Sequence, residues 1–420
     1  MTRSPQLPRL VAELYGTTTL GDCAAAASLL IRRRELVRGP AIAEYEREFA
    51  RRIDVGHAIS FASGRVALYA LLRALGVGSG DEVLLQLPTH VVVVNAVRYT
   101  GARPIFVDCD PSTFNIDLAD ADRRATPRAK VLLLQHTFGI PVDMDAAQAL
   151  ARRRGLIVVE DCVHALGSTY GGRPVGSLGR AAFFSTEETK TISSTMGGMA
   201  VTSDAGLAER VRAFQASCAW PPAGHVARYL LKLIVYHVCT QPRLHPYVRP
   251  LYVLLGRSDA TRLAPAATGR DEQRGERPRG YDMRLGNAQA AIALRQLRRL
   301  DENVGHRRST AAAYRERLAE LGFDLPQPPP AANPAYVRYP VQVPDRAAAV
   351  RAAGSRAVLG GWFSTIIGEA RSPADVGYEP GSCPHAEELA GNLVNLPTHQ
   401  RVRAADVDAI VDALASVAAP

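Results

Sequence analysis

The sequence predicts an α/β protein: a seven-stranded, mostly parallel sheet with helices on both faces, followed by a smaller α+β domain. Three observations predict it. Seven short apolar runs recur between residues 57 and 202, helical patterns fall between most of them, and a proline-rich stretch from Pro326 to Pro334 separates this region from a second set of elements. Strand-helix alternation at that spacing is the mark of parallel strands joined by crossover helices. A chain of 420 residues has room for a large core and two domains. We place the division at residues 1–299, an N-terminal arm with the large domain, and 300–420, the small domain.

In order, residues 22–34 and 40–52 read as two arm helices separated by Gly39-Pro40, the second carrying Ile42, Tyr45 and Phe49 on one face. Strands are expected at His57 to Phe61, Glu82 to Gln86, Pro104 to Val107, Lys130 to Gln135, Leu156 to Glu160, Ala181 to Phe184 and Met199 to Thr202. Helices are expected at Val66 to Leu75, Val92 to Thr100 and Met144 to Arg154. Later, Leu285 to Leu321 suggests one long helix or two in line, Ala335 to Val343 a strand, and 345–354 and 404–417 two further helices.

Composition narrows the function. Hydrophobic content of 47% with 22% charged residues is that of a soluble globular chain and excludes a disordered one. The formal charge of +9 favours acidic partners, but the arginines are scattered and no basic block is interleaved with aromatics. Anionic small substrates or a membrane surface therefore suit the charge better than nucleic acid. Six cysteines without a Cys-x-x-Cys pair indicate neither a zinc site nor a disulfide framework, so a reducing cytoplasm is expected. No apolar signal core opens the sequence, and no stretch has the length of a membrane span.

Residues 219–279 stand apart in composition. Val226, Tyr229, Leu230, Leu233 and Ile234 share a helical face, Tyr247 to Leu255 forms a second apolar run, and Arg257 to Arg279 reads as a polar, mobile loop. Core or dimer packing, a wall for a greasy substrate and a peripheral membrane contact through 226–255 all fit this insertion.

The chain contains only three lysines, Lys130, Lys190 and Lys232, against 50 Lys and Arg in total. Where arginine takes nearly every cationic role, a lysine is worth sorting, since an amine can lose its proton and attack a carbonyl whereas a guanidinium cannot. Lys130 lies at the entering end of a strand and reads as a surface residue; Lys232 reads as snorkelling from an apolar helix. Lys190 follows a strand within a hydroxyl-rich loop ending at Gly197-Gly198. Ligands of open α/β sheets gather beyond the leaving ends of strands. Those positions hold Ser63-Gly64-Arg65, Thr89-His90, Asp108, His136, Asp161 to His164, and Ser185 with Lys190. Ser63-Gly64-Arg65 opens a helix, a geometry that binds phosphate. Asp161 can be a plain cap or, beside a lysine and a phosphate nest, the partner of a pyridine nitrogen. His90 offers a flat face over such a ring; His164 and His136 are weaker candidates, and Cys162 and Cys109 read as buried packing residues.

These residues lie in longer motifs. Ser63-Gly64, Gly80 to Val83, Thr89-His90, Gly101 to Pro104, Glu160 to Gly167, Gly176 to Gly179, Phe184-Ser185 to Lys190, Gly280 to Arg284 and Leu396 to His399 follow one another as in the DegT-type sugar aminotransferases. The sequence resembles that family over nearly its whole length apart from 219–279. The resemblance implies an aspartate-aminotransferase-like three-layer fold, pyridoxal 5'-phosphate as cofactor, and a homodimer with the site at the subunit interface. It implies that Lys190 carries the cofactor and shuttles a proton, that Asp161 pairs with the pyridinium, that His90 stacks on the ring and that His164 lies near the ring oxygen. Ser63, Gly64 and Ser185 match phosphate ligands. Arg65 replaces a small residue and is expected to clamp the phosphate or reach substrate, while Asp282 replaces the asparagine that reaches the neighbouring subunit's phosphate. Met196 replaces an acidic residue, which predicts a rearranged loop after Lys190. The segment Gly361 to Thr365 falls where the family varies with its substrate and lacks the His-rich pattern of nucleotide-sugar members. The expected activity is transfer of an amino group from an amino acid, glutamate first, to a keto-sugar, keto-cyclitol or lipid-linked keto acceptor. A dehydratase or aromatising lyase on the same cofactor, or a non-catalytic regulator, is the alternative.

Overall fold

The computed structural model describes residues 9–13, 16–256 and 268–418. The arm is helix α1 (Leu20–Ile31) and α2 (Ala41–Ile53). Then come β1 (His57–Phe61), α3 (Gly64–Ala74), β2 (Glu82–Gln86), α4 (Val91–Arg98), β3 (Arg103–Val107), α5 (Leu118–Arg124), β4 (Ala129–Gln135) and α6 (Met144–Arg154). Three strands follow, β5 (Ile157–Asp161), β6 (Ala181–Ser185) and β7 (Gly198–Thr202), then α7 (Ala205–Ser217). The seven strands form one sheet in the order β1-β7-β6-β5-β4-β2-β3. Only β7 runs against its neighbours, so the mostly parallel sheet read from the sequence is the one observed.

Local signals explain the elements. All five residues of β2 are buried, as expected of a strand covered on both faces. Asp143 caps α6 by accepting from the Ala146 N–H, and Gly155 ends it at φ 68°. On α2 the buried stripe Tyr45, Phe49 and Ile53 faces the sheet, with Phe49 edge-on to Phe184 at 5.0 Å. The first arm helix begins two residues earlier than expected because Thr19 and Asp22 form a capping box.

The insertion is α8 (Ala223–Cys239), α9 (His245–Gly256) and α10 (Arg270–Gln273). Val226, Leu230 and Leu233 are buried against Ala26, Leu29, Leu36, Ala288 and Ile292 of the arm and the following helix. That face is core, which overturns its reading as a membrane or lipid contact: burying it inside the protein removes the apolar area such a contact requires. Exposed instead are Leu231, Val235 and Val238 on the opposite side, with Leu244 and Tyr247 beyond. No described helix is long and apolar enough to cross a membrane. The polar loop expected over 257–279 falls partly outside the described residues, and its later part contains α10.

The stretch Leu285 to Leu321 is two helices, α11 (Asn287–Leu297) and α12 (Leu300–Glu320). Beyond them, β8 (Arg338–Gln342), α13 (Arg346–Ala353), α14 (Pro384–Asn392), β9 (Leu393–Pro397) and α15 (Ala404–Ala418) complete the chain. β8 and β9 pair antiparallel, and α12, α13 and α15 close a separate apolar cluster around Tyr314, Tyr339, Leu396 and Ile410. A short parallel pairing of Ile367-Gly368 with Thr89-His90 lays the segment after Gly361 over the leaving edge of the large sheet.

Candidate active site

At that edge lies a cavity of about 350 Å³. Eight of the nine residues expected at the site line it: Ser63, Gly64, Arg65, His90, Asp161, His164, Ser185 and Lys190. The fold converges them because each follows a strand or opens a helix on the same side of the sheet.

One end of the cavity is built for an anion. Ser63 precedes α3 in extended conformation and its side chain caps no N–H, so the first-turn amides of an 11-residue helix face the cavity. Close packing holds this turn: a Cβ on Gly64 would stand 3.2 Å from the Phe184 carbonyl, and one on Gly198 would stand 2.2 Å from the Ser63 carbonyl carbon. Arg65 does not reach toward this end alone. It lines the cavity with Ser63 and Gly64, and its guanidinium is also paired with Glu272 of α10, an ion pair that ties the insertion to the cavity wall.

The middle is set by Asp161, 1% exposed. Its Oδ1 accepts from the Val163 N–H at 3.1 Å, while Oδ2 is buried without a partner among the described residues. Burial pushes this carboxyl up to about 6, against the pull of the Val163 amide, Lys190 and His136. An orphaned buried oxygen of this kind calls for a donor from outside the protein.

Burial also pushes the Lys190 ammonium down to about 8, with Arg338 adding to the shift and Glu187 and Asp161 opposing it. The Nζ lies 3.9 Å from the centre of the Trp362 ring. The loop after Lys190 is held from below: Gln296 brackets Ser193 with two hydrogen bonds, Asn303 donates to the Thr191 carbonyl and Gln289 to that of Met196. Lys232 joins in. Rather than snorkelling, it forms a buried 2.6 Å ion pair with Glu188, two residues before Lys190. Lys130 is bound to Asp81 and the Gly76 carbonyl at the opposite edge, as its strand position predicts.

His90 caps α4, its Nδ1 accepting from the Val92 N–H at 3.3 Å. Burial, then Lys190 and Arg65, push it down to about 3, so the ring is neutral with its proton on Nε2, 3.6 Å from Glu369. His164 is likewise pushed well down by burial and stacks on Trp362 at 4.2 Å and 13°. His136 is not part of the cavity; it is fully buried and paired with Glu160 at 3.1 Å. His136, Glu160 and Cys162 bring possible metal ligands within 4.8 Å of one another. The Glu160 oxygens are already engaged by the N–H groups of Gly176, Leu178 and Gly179 as well as by His136, so the cluster is bonded within itself. Cys162 and Cys109 are buried, as read.

Asp282 alone stands outside the cavity of its own chain, bonded to Arg277 at 2.6 and 2.7 Å. Sequence reading missed Gln135, Arg338, Asn395 and Trp362 as site residues. Trp362 had a signal, its place in the segment that varies with substrate; a buried arginine among 50 cationic residues had none.

Such a sheet, with an amine lowered to about 8 and an unsatisfied buried carboxylate at its leaving edge, is similar to those of the nitrogen-group transferases built on the aspartate-aminotransferase-like fold. More narrowly, residues 22–228 and 259–415 match the DegT/DnrJ/EryC1/StrS aminotransferase family, and the chain belongs to that family. The gap in the match falls within the insertion. The chain is 31% identical over 398 residues to the GDP-perosamine synthase of Caulobacter vibrioides, covering 90% of each chain. It is 29% identical over 359 residues to the UDP-N-acetyl-3-dehydro-alpha-D-glucosamine 3-aminotransferase of Acidithiobacillus ferrooxidans, covering 85% of this chain and 83% of that one. Among solved structures it is similar to DesV of S. venezuelae, determined with a ketimine intermediate, at 28% identity and a TM-score of 0.74 over 96% of this chain and 95% of that one.

Proposed function

We propose that this aminotransferase moves an amino group from an amino acid, glutamate first among them, to the carbonyl of a nucleotide-linked keto-sugar, with pyridoxal 5'-phosphate held in the cavity. The observation that carries the reading is Asp161 Oδ2, buried and without a partner beside the cavity that Lys190 also lines. Two relatives named for amino-sugar synthesis support the acceptor class.

Bound pyridoxal phosphate supplies a carbonyl that takes up amines and a ring that accepts electrons when a C–H bond ionises. The protein does the rest. Asp161 Oδ2 would accept from the ring nitrogen, and a positive partner there would lower the carboxyl from about 6 so that it stays ionised at neutral pH. The amides opening α3 and the Ser185 hydroxyl would hold the phosphate, and neutral His90 would face the ring, since all line the one cavity. Lys190, with a pKa of about 8, would take the proton from the donor's α-carbon at Nζ and return it as an acid. Trp362 and Phe363 exclude water from this exchange. The working unit is a homodimer in which Asp282 would face the neighbouring copy's phosphate; Arg277 is paired with that carboxylate, so two anions would not meet uncompensated.

Borohydride reduction followed by peptide mass spectrometry should place the cofactor on Lys190. Glutamate-dependent conversion of nucleotide keto-sugars should then appear as an amine product, absent in Lys190→Arg. Attachment at Lys130 or Lys232 would overturn the site, and an amine product only from keto-cyclitols or lipid-linked ketones would overturn the acceptor.

A further inference from the structure

Next to the lysine, away from the anion end, lies a second and smaller arrangement of donors. Arg338 of β8 is 4% exposed, and its guanidinium carbon sits 3.8 Å from the centre of the same Trp362 ring that Lys190 touches. Among the described residues neither Nη1 nor Nη2 has a hydrogen-bond partner. Asn395, facing it from β9, accepts from the Trp362 N–H at 3.0 Å through Oδ1 and leaves its Nδ2 buried and unpartnered. Gly360 makes the room: a Cβ there would stand 2.3 Å from Arg338 Nη1 and 3.0 Å from Asn395 Oδ1. A buried guanidinium and a buried amide, both with donors to spare, form a site for a planar two-oxygen acceptor.

One such acceptor already stands there. Oε1 of Glu13, in the N-terminal arm, lies 2.6 Å from Arg338 Nη1 but off the N–H directions, so the contact is an ion pair and not a hydrogen bond. Around them remains only a water-sized void bordered by Lys190 and a second buried cation, Arg307. Glu188, the other acid on this wall, is held by Lys232. Cations thus outnumber the acids left to meet them, and the volume is filled by the protein's own carboxylate.

We propose that Arg338 and Asn395 bind the carboxylate of the amino-acid donor, and that Glu13 occupies this place until the donor displaces it. This rests on the aminotransferase reading and deepens it: an amine brought to Lys190 Nζ carries its carboxylate one carbon away, and Lys190 and Arg338 lie 3.9 and 3.8 Å from the centre of the same indole. A sugar ring without a carboxylate gains nothing here, so the two half-reactions differ in their use of Arg338.

Trp362 reports the site directly, since Trp220 is the only other tryptophan and Trp220→Phe removes it. In that background, titration with glutarate should change the fluorescence saturably. Arg338→Gln should weaken this binding about 100-fold, the effect of losing a charge-assisted pair, and Arg338→Lys should weaken it less. Glu13→Gln should tighten it several-fold by removing the competitor. In steady state the donor KM should shift in the same directions with the acceptor KM unmoved, and glutamate α-methyl ester should be a poor donor for the wild type and no poorer for Arg338→Gln. Glutarate binding that ignores Arg338→Gln, or no tightening in Glu13→Gln, overturns the proposal, as does a shift confined to the acceptor KM. Should the glutarate pattern hold while no ketone is aminated, the reading of the activity fails and the carboxylate site stands.

Discussion

Glu160 and Asp161 are consecutive on one strand and equally inaccessible, at 0% and 1% exposure, yet the strand turns them to opposite faces of the sheet with opposite consequences. Beneath the sheet Glu160 is saturated by three backbone N–H groups and His136. On the cavity side Asp161 has one amide and an empty second oxygen. The difference teaches that burial of a charge does not mark function; incomplete satisfaction does. A saturated buried acid holds the loop from Gly176 to Gly179 against the strand, whereas an unsaturated one stores a cost that only a ligand relieves.

The largest effect should separate the two by activity. Asp161→Ala should reduce glutamate turnover by about 10³-fold or more, roughly 4 kcal/mol in the barrier, with its circular dichroism unchanged. Near-native turnover would erase the proposed distinction. On the other face, Glu160→Ala strands His136 and three amides and should lower stability by about 3–5 kcal/mol in urea unfolding, the cost of leaving several buried hydrogen-bonding groups unpaired. A midpoint matching the wild type would show that the saturated acid does not hold the fold.

A third measurement sharpens the same contrast in the cofactor-free protein. The Asp161 carboxyl is raised in the fold, so its contribution to stability is full below its ordinary value near 3.8 and is lost as pH rises through about 6. Asp161→Asn should therefore be more stable than the wild type by about 2–3 kcal/mol at neutral pH, at 1.4 kcal/mol per unit of pKa, with the gain closing below pH 4. A gain that persists at pH 4 would assign the effect to packing. The smallest effect concerns Lys190, whose amine must be neutral to attack. Capture of pyridoxal phosphate by the cofactor-free protein, followed by stopped-flow absorbance, should level off above pH 8 and fall about tenfold per unit below it, 1.4 kcal/mol per step. A rise that continues to pH 10 would show a lysine unaffected by its burial.

The sheet was readable because its cause is local: apolar runs of strand length, caps such as Asp143 and stops such as Gly155 lie within the segments they shape. Lys190 could be singled out by scarcity and by its position after a strand, and Asp161 by ending the run Leu156 to Glu160; the rule that ligands gather at leaving ends did the rest. Which way α8 faces was half legible. Its period gave the stripe of Val226, Leu230 and Leu233, and a stripe says only that something apolar covers it; the arm helix, some 200 residues earlier, decided that the cover is the protein itself. The same limit hid Lys232, whose partner Glu188 is 44 positions away, and Arg338, whose charge gains meaning only when Trp362, Asn395 and Glu13 arrive from three separate segments. By itself the sequence determined the elements, the sheet and the candidate lysine, because periodicity and propensity act over a few residues and scarcity needs no structure. Only the tertiary structure decided which buried polar groups are satisfied, because hydrogen-bond saturation is a property of neighbours that meet in space and not along the chain.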